Sequence, residues 1–331
     1  MIRLSDLPPY DPRRRALQVL VDCEVAEPPV DEQCILDYFS VDLDQTPISH
    51  FPHCKTLATS AHRPSGALLR GGDGGRPLLW VDPAATTGRF RWTVFHELAH
   101  HDLDHSGLRF ADDDSTLRPA QGRPEVLHTE YHEVGRQAVL PGLGEAAEEA
   151  FTPVEAETAD SIRVKQQERQ ANLYASEMIM PSQWFTPEAR DLPVGMAAVQ
   201  RMRARYLASF EATAIRYAQA CPDKCAVLAV EPTRDPEGNI TASTVVYCIR
   251  GRPGFLQGIH QDAQLPFSGL FAKAWSASDH VEGIVTGDLL GLGRRFELSA
   301  DALKLGSYGR VVALLWLESG QLQMLPERAA A

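Results

Sequence analysis

Two histidines four residues apart flank a glutamate in the run His96-Glu97-Leu98-Ala99-His100. On a helix the two rings lie about 40° apart in azimuth and can grip one metal ion. Glu97 is turned about 100° from His96, so its carboxylate lies beside that ion and can take a proton from a zinc-bound water. The pattern therefore predicts His96 and His100 as Zn2+ ligands and Glu97 as the general base of a zinc metalloendopeptidase. Five residues also match by chance, so the context has to carry part of the case.

A catalytic zinc site needs a third protein ligand and an open position for water. With Glu168 taken as zero on a helical wheel, Ala171, Ala175 and Ile179 fall within about 60° of it. Arg169, Gln170 and Glu177 fall on other faces. A carboxylate on an apolar stripe is costly to bury unless it is paired or binds a metal, so Glu168 is the expected third ligand. Asn172, one turn on, shares that face and is expected to support a ligating histidine by hydrogen bonding.

Other groups compete for attention. His101-Asp102-Leu103-Asp104-His105 holds a second histidine pair and a His-Asp dipeptide of the kind used in metal phosphohydrolases, but no glutamate base. His101 and His105 are therefore expected to be structural or to face a lid. A metzincin arrangement needs Gly and His where Leu103 and Ser106 stand. Tyr131, His128 and His132 are candidates to stabilise an oxyanion.

The elements that must position these residues follow from periodicity and breakers. Helices are expected from Arg13 to Cys23 and from Asp31 to Phe39, separated by Pro28-Pro29. Gly66–Arg70 and Pro77–Asp82 read as a hairpin around the glycine-rich stretch Gly71–Arg76. Thr86 or Thr87 can cap the motif helix, along which Phe90, Val94 and Leu98 recur. Residues 106–159 are rich in Asp, Glu, Pro and Gly with little periodicity and read as an acidic insert, a long loop or lid. A helix from Asp160 to Met180 ends at Pro181, and two short helices fill Gly195–Ala220. Strands are expected at Ala226–Val230, Thr244–Ile249, Val311–Leu317 and Gln321–Leu325.

Composition sets bounds. The 331 residues are 44% hydrophobic and 23% charged, enough for two modest domains with real cores. The longest apolar runs are too short to cross a bilayer, and the first residues lack the apolar stretch of a secretory signal, which predicts a cytoplasmic protein with no membrane partner. Six scattered cysteines give neither a disulfide framework nor a zinc ribbon. A net charge of −12 argues against direct nucleic-acid binding, although 12 acidic and 3 basic side chains between Ala111 and Asp160 supply most of it.

Gly66–Arg70, the run Arg89–His100, and Glu168–Ala175 continuing to Met178-Ile179-Met180-Pro181 together resemble the ImmA/IrrE-type metallopeptidases. Ser209–Arg216 is also similar to the helical element that follows the peptidase core in that family. The resemblance implies zinc on His96, His100 and Glu168 with Glu97 as base. It further implies cleavage of a regulatory protein, typically a helix-turn-helix transcriptional repressor, often under stress, and in some members a C-terminal sensor-like domain. The 67 residues between His100 and Glu168 exceed the usual connection, and no N-terminal repressor-type DNA-binding domain is recognisable.

These readings predict an α+β protein. A zincin-like metallopeptidase domain at 1–190 would be followed by a helical connector at 191–222 and a C-terminal α+β sensor or substrate-recognition module at 223–331. Its partner would be a protein substrate, held by strand addition to the hairpin edge. The rival expectation is a non-proteolytic regulator that binds protein or DNA and uses the zinc structurally, with Arg201, Arg203, Arg205 and Arg216 as a basic helical patch.

Overall fold

The computed structural model describes residues 7–47, 64–70, 75–105, 125–131, 159–221, 225–250, 256, 259–286, 297–306 and 309–317. The architecture mixes helices and sheets in two compact units. One comprises the described residues of 1–142, 153–184 and 204–209; the other comprises the described residues of 185–203 and 210–331. No described helix is long and apolar enough to cross a membrane.

The first unit opens with α1 (Pro12–Asp22) and α2 (Glu32–Phe39), each capped by an aspartate, Asp11 and Asp31, whose side chain accepts from a backbone N–H two residues on. Burial works to raise the Asp11 pKa, but hydrogen bonds from Arg13 overcome it and hold the carboxyl below its usual value. After β1 (Asp42–Asp44) come β2 (Pro64–Arg70) and β3 (Leu78–Val81), which form the expected antiparallel pair with Gly66 opposite Val81.

This hairpin has no free edge. Strand β1 pairs in parallel with β3, and β4 (Glu125–Tyr131) pairs antiparallel with β2, giving the order β1-β3-β2-β4. The insert expected to be a loop thus contributes a strand, and strand addition to the hairpin itself is ruled out. The N–H and C=O groups that a peptide would have used are taken by the chain's own strands. The expected strand at Gln321–Leu325 lies outside the described residues.

Against the sheet lies α3 (Thr87–Asp102), in which every residue from Thr93 to His100 is buried. Thr86 occupies its N-cap position without a side-chain cap bond. Helix α4 (Ala159–Ile179) packs on both α3 and α1. Its Glu177, read from the wheel as lying on another face, is 1% exposed. The Glu177 carboxylate accepts from the Ser182 N–H at 2.6 Å, satisfying the first turn of α5 (Ser182–Asp191).

The second unit holds α6 (Met196–Tyr206) for most of its length, α7 (Phe210–Ala220) and a six-stranded antiparallel sheet. Its strands are β5 (Cys225–Arg234), β6 (Ile240–Arg250), β7 (Gln264–Leu265), β8 (Val281–Thr286), β9 (Glu297–Leu305) and β10 (Arg310–Trp316), in the order β7-β6-β5-β10-β9-β8. Alternate residues of β5 and β10, including Leu228, Val230, Val311 and Ala313, form a core with Leu270, Phe271 and Ala274 of α8 (Gly269–Ser276). The described cysteines Cys23, Cys34, Cys221, Cys225 and Cys248 are all free thiols.

Candidate metal centre

Helix α3 places three ionisable side chains in the interior of the first unit. His96 is 2% exposed, Glu97 0% and His100 3%. Such burial is costly unless the groups are paired or hold an ion. The i, i+4 spacing brings the two imidazoles together, with Nε2 to Nε2 at 3.2 Å. Helix α4 then brings Glu168 to the same point. Its Oε2 lies 3.2 Å from His96 Nε2 and its Oε1 3.5 Å from His100 Nε2, and its side chain is 33% exposed.

These three donors can hold a metal ion. Donor atoms about 2.0–2.2 Å from a tetrahedral zinc stand about 3.3–3.6 Å apart along each edge. The imidazole–imidazole edge, 3.2 Å, lies just below that span, and the carboxylate faces the pair with both oxygens, Oε2 at 3.2 Å from His96 and Oε1 at 3.5 Å from His100. Two imidazoles and one carboxylate are also the donor types of a catalytic zinc. Among the described residues the cluster contains these three ligands.

The surrounding contacts fix both ligand helices. Asp102, at the end of α3, accepts from Arg15 Nε and Nη2 at 2.7–3.0 Å and from the Tyr174 hydroxyl of α4 at 3.0 Å. The three helices α1, α3 and α4 are thereby joined at one carboxylate. Burial first, and then the Asp102 charge, push the Tyr174 pKa well above its usual value, so its hydroxyl remains a donor. The His-Asp dipeptide is accordingly a structural joint. At the other end of α3, buried Arg91 donates to the Val30 carbonyl at 2.9 Å and pairs with Glu32 of α2.

Strand β2 crosses α3 beside Glu97. A Cβ on Gly66 would lie 2.2 Å from Thr93 Cγ2, 3.2 Å from the Trp80 carbonyl oxygen and 3.6 Å from Glu97 Cγ. Thr93 is fully buried and β-branched, so its methyl cannot simply rotate away. We expect Gly66→Ala to destabilise the protein by about 1–3 kcal/mol through overpacking. Adding Thr93→Ser, which deletes that methyl, should recover most of the loss. Urea unfolding of the two variants checks this; a Gly66→Ala protein as stable as wild type contradicts the crossing.

Asn172 is half-buried on α4 one turn beyond Glu168. The Nδ1 of His100 is met at 3.0 Å by His105 Nδ1, and His105 Nε2 lies 2.9 Å from Gln170 Oε1. Sequence reasoning gave His105 no such place. Its spacing of five from His100 signals nothing on a continuous helix, and only the chain reversal after Leu103 brings the rings together. His101 instead turns toward Phe39, with ring centroids 6.0 Å apart. Of the oxyanion candidates, His128 and Tyr131 lie on β4, opposite Leu68 and Pro64 of β2, and His132 lies outside the described residues.

No protein-family model matches the chain. A comparison with curated proteins likewise finds no match. Among solved structures, the fold is similar to that of a Mycobacterium tuberculosis transcriptional regulator, at 13% sequence identity over 92% of this chain and 76% of that one, with a TM-score of 0.50. At that identity the likeness is one of fold.

Proposed function

We propose that the chain is a zinc-dependent endopeptidase of the ImmA/IrrE kind that cleaves a regulatory protein, a helix-turn-helix transcriptional repressor. The observation that carries this reading is the convergence of His96, His100 and Glu168 from two helices, with the buried Glu97 carboxylate on the next residue after the first ligand. The fold likeness to a protein titled a transcriptional regulator supports a regulatory setting.

His96, His100 and Glu168 would hold Zn2+, which when bound acidifies water toward neutral pH and polarises a carbonyl. Glu97 takes a proton from the attacking water as its oxygen adds to the scissile carbonyl carbon. The same carboxyl returns that proton to the amide nitrogen as the C–N bond breaks, leaving a new carboxylate and a new amine. Burial of Glu97 keeps bulk water from competing for the proton. Because β1 and β4 flank the hairpin, the substrate strand would add at the outer edge of β4, the last described strand on that side of the sheet.

The test is incubation of the zinc-loaded full chain with helix-turn-helix repressors encoded beside it, followed by intact-mass analysis. A fragment pair whose masses sum to the repressor plus one water supports the reading. A repressor that binds stoichiometrically and stays intact supports the non-proteolytic regulator instead.

A further inference from the structure

Helix α3 ends in a cap that places a third imidazole against the ligand pair. Asp104 adopts the left-handed conformation with φ of +50° and turns the chain back. The His105 N–H donates to the His100 carbonyl at 3.0 Å, and the Asp104 N–H to the His101 carbonyl at 3.3 Å. This is the paired bonding of a Schellman motif, in which the last cap residue ordinarily makes an apolar contact with the residue five before it. Here both positions are histidines, with ring centroids 4.9 Å apart and planes 70° from parallel.

We propose that His105, oriented by Gln170, is a positioning residue that holds His100 in its metal-binding tautomer. Gln170 Oε1 can only accept, so the His105 proton sits on Nε2 and its Nδ1 carries a lone pair. That lone pair accepts from the His100 Nδ1–H, which leaves the His100 Nε2 lone pair toward His96 and Glu168. The opposite arrangement would put the His100 proton on Nε2, where it would block coordination. Gln170 lies two residues beyond Glu168, so the same pair of helices that supplies the ligands also supplies this support. A hydrogen bond from the far nitrogen of a ligating histidine fixes its ring and raises its basicity.

The inference rests on the zinc-site reading, and a competition titration against a chromophoric zinc chelator separates the two. His105→Phe keeps a ring against His100 but cannot accept. His105→Asn places a carbonyl oxygen where Nδ1 stood. We expect zinc affinity to fall about 10–100-fold in His105→Phe and to be largely restored in His105→Asn, with the melting temperature of both metal-free variants near that of wild type. Wild-type affinity in His105→Phe, or an Asn variant no better than Phe, overturns the positioning role while leaving the zinc site standing. If wild type itself takes up no zinc in the same titration, both fall.

Discussion

Glu97→Gln is expected to bind zinc with unchanged stoichiometry and to cleave its substrate about 10²–10⁴-fold more slowly, the usual share of a general acid–base. The substitution keeps the size and shape of a side chain that has no exposed surface and packs where β2 crosses α3. It removes the carboxylate charge and with it the ability to take a proton. The atoms able to hold a metal ion belong to His96, His100 and Glu168, so the ion should stay. The loss should fall on kcat with little change in KM, because the proton moves only in the transition state. A variant that retains wild-type turnover would remove Glu97 from the chemistry.

The second large effect belongs to the other unit. Arg310 is 1% exposed on β10 and donates to Glu231 Oε1 from Nε and Nη2 at 3.1 and 2.7 Å. Its Nη1 donates to Glu211 Oε1 of α7 at 3.1 Å, and the Tyr247 hydroxyl donates to the same oxygen at 2.7 Å. Burial works against the Arg310 charge, but the two carboxylates outweigh it and raise its pKa. Arg310→Met would leave Glu211 and Glu231 facing each other without a cation. We expect a loss of about 3 kcal/mol, near the lower end for breaking a buried pair, because the Glu231 side chain keeps 31% exposure. The triple variant with Glu211→Gln and Glu231→Gln should regain much of it, since the stranded charges are gone. The urea midpoint at constant m-value reports both changes. An unchanged midpoint in Arg310→Met contradicts the network.

Much of the first unit was legible because its signals are local. The His96-Glu97-x-x-His100 spacing, the apolar stripe behind Glu168 and the glycine-rich break between β2 and β3 all act within a few residues. What escaped depends on contacts distant in sequence. Strand β1 is three residues long and exists through its pairing with β3, and β4 lies in an acidic stretch where pairing with β2 overrides composition. The wheel puts Glu177 on another face than Glu168 but does not show what meets it there, here the N–H of Ser182.

The second unit shows the same limit more strongly. Strand β9, Glu-Leu-Ser-Ala-Asp-Ala-Leu-Lys-Leu, carries good helix formers, yet it lies between β10 and β8 with Leu298, Ala300 and Ala302 in the core. Propensity gave no sign of it. By contrast, β5, β6 and β10 were readable as strands, because β5 and β10 are apolar runs buried on both faces for most of their length and β6 alternates buried with half-buried residues along a β-branched run.

The most direct test of the metal centre is elemental analysis of the dialysed full chain after exposure to equimolar zinc, with wild type and Glu168→Ala measured side by side. One zinc per wild-type chain, with most of it lost from a folded Glu168→Ala chain, is the predicted result. A zinc-free wild type, or a Glu168→Ala protein that holds zinc as fully as wild type, would contradict it.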